Sequence, residues 1–353
     1  MTDVVVVDQG TPGGRDTYTR NLVSMLRTNG WEVSTIRMTS DADIQISLLT
    51  GSDLEFLLRF TILGLIGQLP NASIVHTQRT VELLPFYLLR SDAQMVVTCH
   101  GKDTLEMSLH RPWWVVSLYN AVESIAIRSA DQVICVDQST KQYLLQKHDL
   151  PDDRFVVIPV GADGTIFNPR SQAECRHQSD YELDDDILLF AGRLSEVKNL
   201  PLLLNTFVEV QRRRECFLVI AGDGGQREAL ERSLHKRGLN EFVNLCGTVE
   251  HHVLADLMNL ADCLLLTSDH EGSPNVVREA RACGLPVVST DVGDVSQIIT
   301  DNSQGYVVTE RSPEVIADRV ELVLDDNSAS RSPDRKVLFE FTYNRIETLY
   351  FKN

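Results

Sequence analysis

The residues best suited to chemistry are two glutamates, Glu271 and Glu279, separated by seven residues that include Gly272, Ser273, Pro274, Asn275 and Val276. An apolar strand at 263–267 precedes them, so the run reads as a strand, a tight loop and the start of a helix. A helix N-terminus leaves backbone N–H groups unpaired and carries the positive end of the helix dipole, which suits a diphosphate. Gly272 and Ser273 let the chain approach closely, and Pro274 is favoured where a helix begins. Glu271 then stands in the loop and Glu279 one turn inside the helix. One carboxylate can face a polyhydroxylated or positively developing group while the other accepts hydrogen bonds from a ribose. A capped amphipathic helix with Glu279 on its solvated face would use the same letters, so the reading depends on partners elsewhere.

Those partners follow other strands. The strand at 187–191 runs into Gly192-Arg193-Leu194-Ser195-Glu196-Val197-Lys198-Asn199, placing two cations just past its carboxyl end, where open α/β sheets hold their ligands. Arg193 and Lys198 can bind diphosphate oxygens there and neutralise the charge that grows as a phosphate leaves. Glycine turns at 221–225 and 247–249 also follow strands and fit loops rimming a nucleotide site. In the first half, the loop from Gln9 through Gly13 and Gly14 to Arg15 joins the opening strand to a helix beginning near Asp16, and the strand at 95–99 delivers His100. A glycine turn or a histidine at a strand end is often only structural.

Taken together, Glu271-Gly-Ser-Pro with Glu279-Ala, Gly192-Arg-Leu-x-x-x-Lys198-Asn, the Gly13-Gly14 loop and His100-Gly101 resemble the retaining glycosyltransferases of family 4, which adopt the GT-B fold. The resemblance covers most of the chain and is strongest over 188–299. It implies an α/β protein with two Rossmann-like domains, their parallel sheets facing across a cleft, and a C-terminal helix crossing back to the first domain. It implies a nucleoside-diphosphate sugar as donor and a hydroxyl acceptor on a glycan, a lipid-linked sugar or a small molecule. In that scheme His100 contacts the transferred sugar, Glu271 orients its hydroxyls, Arg193 and Lys198 hold the leaving phosphate with the helix tip at Asn275–Val276, Glu279 holds the ribose, and backbone near Val249 meets the base. Gly13 and Gly14 present backbone N–H groups to the distal phosphate and sugar. No cofactor and no metal are expected. The one Asp-x-Asp, Asp41-Ala-Asp43, follows a Thr-Ser turn away from these motifs and reads as a solvated loop, and Asp184–Asp186 as hydrated linker. A nucleotide-sugar epimerase of the same fold or a non-catalytic binding subunit are the alternatives; the retained cations and glutamates disfavour both.

The elements that must position these residues alternate in βαβ fashion. Short β-branched runs at 4–7, 33–37, 74–76, 95–100, 132–136 and 155–159 are followed, after a polar stretch at 170–186, by others at 187–191, 216–221, 243–246, 263–267 and 286–290. Two parallel-sheet domains are expected, 1–167 and 168–335, with 336–353 as the returning helix. At 353 residues and 43% hydrophobic content the chain supports two cores.

A formal charge of −17 excludes a nucleic-acid partner, since no basic face of the needed density can be read. Seven lysines against 26 arginines, with abundant acid, hint at a salt-loving source. Seven cysteines lie singly without zinc spacing, and the start of the chain lacks a secretory pattern, so cytoplasmic synthesis with buried thiols is expected. No run is apolar enough to span a bilayer; residues 54–69 read as an amphipathic helix broken by Glu55 and Arg59. The tandem Trp113-Trp114 suits core packing; if exposed, it points to a peripheral membrane contact and a lipid-linked acceptor.

Overall fold

In the computed structural model the described residues are 2–9, 14–38, 42–46, 53–89, 92–101, 112–179, 181–326 and 333–351. They fall into two compact units, residues 1–160 with 342–353, and residues 161–341.

The first unit is built on a parallel sheet of strands β1 (Thr2–Val7), β2 (Val33–Arg37), β3 (Ile44–Gln45), β4 (Ala72–Thr77), β5 (Gln94–Cys99), β6 (Gln132–Cys135) and β7 (Phe155–Val157). Their spatial order is β3-β2-β1-β4-β5-β6-β7. The uninterrupted Val4–Val7 run pairs with β2 on one side and β4 on the other, and all four valines are fully buried. Such a run, apolar at every position, is what a strand covered on both faces requires. The order reverses between β1 and β4, which makes their carboxyl ends the switch point of this sheet.

The second unit repeats the plan with β8 (Asp186–Ala191), β9 (Cys216–Ala221), β10 (Val243–Gly247), β11 (Cys263–Leu266), β12 (Val287–Thr290) and β13 (Gly305–Val308), ordered β10-β9-β8-β11-β12-β13. Its switch point lies between β8 and β11. Apolar clusters fill both faces of this sheet: Leu189, Val219 and Leu264 belong to one, Leu188, Leu218 and Leu265 to the other.

Several expectations need correction. The division falls after Val160 rather than after 167, because Ala162 and Phe167 are buried in the core of the second unit and the backbone of Ala162 bonds to Val337 and Phe339. The final helix, Phe339–Tyr350, likewise contributes to the first unit only from Thr342 on; there Tyr343 is buried and bonds Glu347, which also accepts from the Trp31 indole. Asp43 is not merely solvated: its Oδ2 accepts from the backbone N–H and hydroxyl of Thr35 and from Arg27, tying the chain beside β2; Asp41 lies outside the described residues. Asp186 is the first residue of β8 and pairs with Arg214.

Trp113 and Trp114, expected in a core, are 80% and 59% exposed at the start of the helix Trp113–Ser129. The helix Asp53–Leu65 buries Phe56 and Phe60 and exposes Leu58, Ile62 and Leu65. Among the described residues no helix is long and apolar enough to cross a membrane. Cys99, Cys135, Cys216 and Cys263 are buried.

Candidate active site

The switch point of the second unit gathers most of the predicted residues. Past β8, Gly192 adopts φ +148°, and a Cβ there would sit 3.5 Å from the Lys198 Nζ. The loop is braced from β9: Gly192 and Leu194 donate backbone hydrogen bonds to Ala221 and Asp223, and Gly222 packs so closely that a Cβ on it would fall 1.9 Å from the Gly192 carbonyl oxygen. The glycines after β9 therefore serve as a floor that fixes the Arg193 loop. Arg193 is exposed and, among the described residues, takes no carboxylate partner.

Lys198 ends a short 3-10 turn, Glu196–Lys198, and Asn199 follows in the left-handed conformation, capping the next helix by accepting from the Leu202 N–H. Past β11, Thr267 donates its hydroxyl to the Lys198 carbonyl, and Asp269 donates its backbone N–H to that of Val197. These bonds clamp the two loops together. Glu271 receives the consequence: its Oε1 accepts from the Lys198 Nζ at 2.5 Å and from the Ser268 hydroxyl at 2.7 Å. The cation assigned to phosphate and the carboxylate assigned to sugar thus meet in an ion pair, half-buried on both sides.

The helix Asn275–Ala282 starts behind Pro274 with no side-chain cap. Among the described residues the backbone N–H groups of Asn275 and Val276 have no acceptor, so the helix offers two amides and its dipole to an anion. Glu279, one turn in, is half-buried and its carboxylate takes no hydrogen bond or ion pair among the described residues; burial alone pushes its carboxyl up to about 7. Val249 follows β10, half-buried against the apolar core.

Two residues that sequence reasoning missed hold this loop in place. Arg278 and Asp294 form a buried ion pair, and Ser273 joins it, accepting from Arg278 at 2.8 Å and donating to Asp294 at 3.1 Å. Gly293, at φ +56°, packs against Gly272, where a Cβ would lie 2.3 Å from the carbonyl oxygen. The available signal was Asp-Val-Gly-Asp just past the β12 strand, the next carboxyl end along the sheet from β11.

In the first unit His100 follows β5. Its Nε2 lies 2.9 Å from the Gln78 Oε1, and its ring meets the Tyr18 ring edge-on at 4.8 Å. Burial, with smaller contributions from Arg15 and His76, pushes the imidazole down to about 3, so it is neutral at ordinary pH. Gly14 opens the helix Gly14–Thr28; Gly13 lies outside the described residues.

Residues 12–164 match the family described as Glycosyltransferase Family 4, and residues 171–338 match Glycosyl transferases group 1. Among curated relatives, an alpha-D-kanosaminyltransferase of Streptomyces kanamyceticus is 32% identical over 58% of this chain and 54% of its own length. A D-inositol 3-phosphate glycosyltransferase of Frankia alni is 30% identical over 57% and 52%. The chain thus spans about half the length of these relatives. Among solved structures, sucrose-phosphate synthase from Thermosynechococcus elongatus superposes with a TM-score of 0.79 at 19% identity, covering 99% of this chain and 98% of that one. Anabaena HepE in complex with UDP-glucose gives 0.75 at 16%, covering 99% of both. With both halves matched and the fold shared along its length, the chain belongs to the family 4 type of GT-B glycosyltransferases.

Proposed function

We propose that this protein transfers a sugar, with retention of configuration, from a nucleoside-diphosphate sugar to a hydroxyl acceptor without a metal. The observation that carries the reading is the uncapped helix tip at Asn275–Val276, following a loop whose Glu271 is paired to Lys198, with Arg193 unpaired past the neighbouring strand. The diphosphate finds two cations and two free amides at one switch point, which supplies the charge stabilisation that a metal would otherwise give. A HepE complex holding UDP-glucose on the same fold supports a donor of this class.

The chain's own residues account for the chemistry. On donor binding the phosphate competes with Glu271 for Lys198, freeing the Glu271 carboxylate to accept from sugar hydroxyls beside the reacting carbon. As the bond between the sugar carbon and the phosphate oxygen breaks, negative charge builds on the phosphate against Arg193, Lys198 and the helix tip. The acceptor hydroxyl bonds to the same face of the sugar carbon, and its proton passes to the departing phosphate. Glu279 accepts from the ribose hydroxyls, and His100 contacts a hydroxyl of the transferred sugar. Catalysis is positional and electrostatic.

The exposed Trp113 and Trp114, with Leu118 exposed on the same helix, support a peripheral membrane contact and a lipid-linked acceptor. The test is a thermal-shift screen of nucleoside diphosphates and their sugars, followed by assay of diphosphate release. Release that requires an acceptor supports transfer; an epimerised donor without acceptor, or binding with no turnover, overturns it.

A further inference from the structure

His100 is held from two sides. Tyr18 presents its ring edge-on, and that ring is itself buried beside Thr98, 3.4 Å from hydroxyl to hydroxyl. The directional contact comes from Gln78, the first residue past β4 and therefore at the switch point of this sheet. Gln78 is 1% exposed, and its backbone N–H donates to the Val7 carbonyl at 3.0 Å and to the Glu82 Oε2 at 3.1 Å. These bonds fix the main chain of Gln78, while its side-chain amide is oriented by the contact of Oε1 with His100, its Nε2 taking no hydrogen bond among the described residues.

The chemistry of that contact fixes a proton. In this orientation the Gln78 Oε1 is the acceptor, since an amide carbonyl oxygen has no proton to give, and the His100 Nε2 facing it is the donor. A neutral imidazole has one N–H, and with it on Nε2 the Nδ1 carries a lone pair. Among the described residues Nδ1 takes no hydrogen bond. We infer that Gln78 is a positioning residue that locks His100 in the Nε2–H tautomer, so that Nδ1 serves as a hydrogen-bond acceptor for a sugar hydroxyl. The consequence is chemical: the ligand group facing His100 is a hydroxyl donor, and a position that offers only an acceptor, such as a methoxy or keto oxygen, is rejected.

This rests on the reading of His100 as a sugar contact, and the test separates the two. Long-range proton–nitrogen NMR spectra of the full chain with labelled histidine distinguish a protonated ring nitrogen from one with a lone pair; His100→Asn identifies the signals by their loss. The native protein shows the proton on Nε2. Gln78→Leu loses that preference and lowers kcat/KM by about tenfold, the worth of one aligned hydrogen bond, while nucleoside-diphosphate affinity is unchanged. Gln78→Glu keeps an acceptor in place and retains the proton on Nε2, which guards against a Leu variant that fails to fold. A native His100 protonated on Nδ1, or an unaltered tautomer in Gln78→Leu, overturns the inference. Full activity in His100→Asn sinks the sugar-contact reading instead, and leaves the tautomer measurement standing.

Discussion

Replacing Glu279 with glutamine should make the protein more stable and worse at binding nucleotide, and the structure sets the size of both effects. Burial pushes this carboxyl from an ordinary 4.5 up to about 7, with no partner to offset the cost of its charge. The folded protein then holds the proton to higher pH than the unfolded chain does. Stability therefore falls as pH rises from about 4.5 to about 7, and the penalty is complete above that window. A shift of this size corresponds to about 3 kcal/mol above pH 7, an upper bound because half-burial leaves the group open to water on one side. Glutamine has no charge to bury. The difference in unfolding free energy between Glu279→Gln and the native protein should grow by up to about 2 kcal/mol between about pH 5.5 and about pH 8. Denaturant titration at the two pH values reads it directly, and comparing variant with native removes the contribution of Glu82, whose buried carboxyl is pushed up to about 8. The second arm is calorimetry. If Glu279 accepts from ribose hydroxyls, binding favours its ionised form, so nucleoside diphosphate should bind with proton release near pH 6.5 in the native protein and about tenfold more weakly to Glu279→Gln. A variant no more stable at high pH, or one with unchanged nucleotide affinity, would refute the reasoning.

Other outcomes follow from the same geometry. Lys198→Ala should lower turnover by about tenfold or more by removing leaving-group stabilisation, and normal rates in that variant would count against the assigned role. Asp294→Ala leaves Arg278 buried without its partner and should cost about 3 kcal/mol in denaturant unfolding, with a loss of nucleotide affinity as the Ser273 loop loosens; an unchanged midpoint would contradict the bracing role. Replacing Trp113 and Trp114 with serine should abolish co-sedimentation with phospholipid vesicles while leaving nucleotide binding intact, and equal sedimentation would remove the membrane contact.

Much of this was legible in the sequence because parallel strands buried on both faces write themselves as continuous apolar runs, as at Val4–Val7 and residues 187–191. Strands β3 and β13 were missed for the opposite reason: β3 is two residues long, and Gly305-Tyr-Val-Val takes its place only by pairing with β12. The Arg193, Lys198 and Glu271 loops were found because each follows a recognisable strand. Their ion pair was not, since it depends on a bond between Thr267 and the Lys198 carbonyl that no spacing encodes. Arg278, Asp294 and Gln78 escaped because Arg278 and Asp294, like Gln78 and His100, pair across successive strands of a sheet rather than within one segment. The tandem tryptophans misled because adjacent large aromatics suit a core by composition alone, and only the packing of their helix leaves both outside.

The central claim, that the second unit grips a diphosphate with two basic side chains and a bare helix end, is tested most directly by a crystal structure with a nucleoside diphosphate bound. The terminal phosphate should lie about 3 Å from the N–H groups of Asn275 and Val276, with Arg193 and Lys198 on its oxygens and Glu271 released from the lysine. A diphosphate bound elsewhere, with the Lys198–Glu271 pair intact and the helix end untouched, would contradict the account.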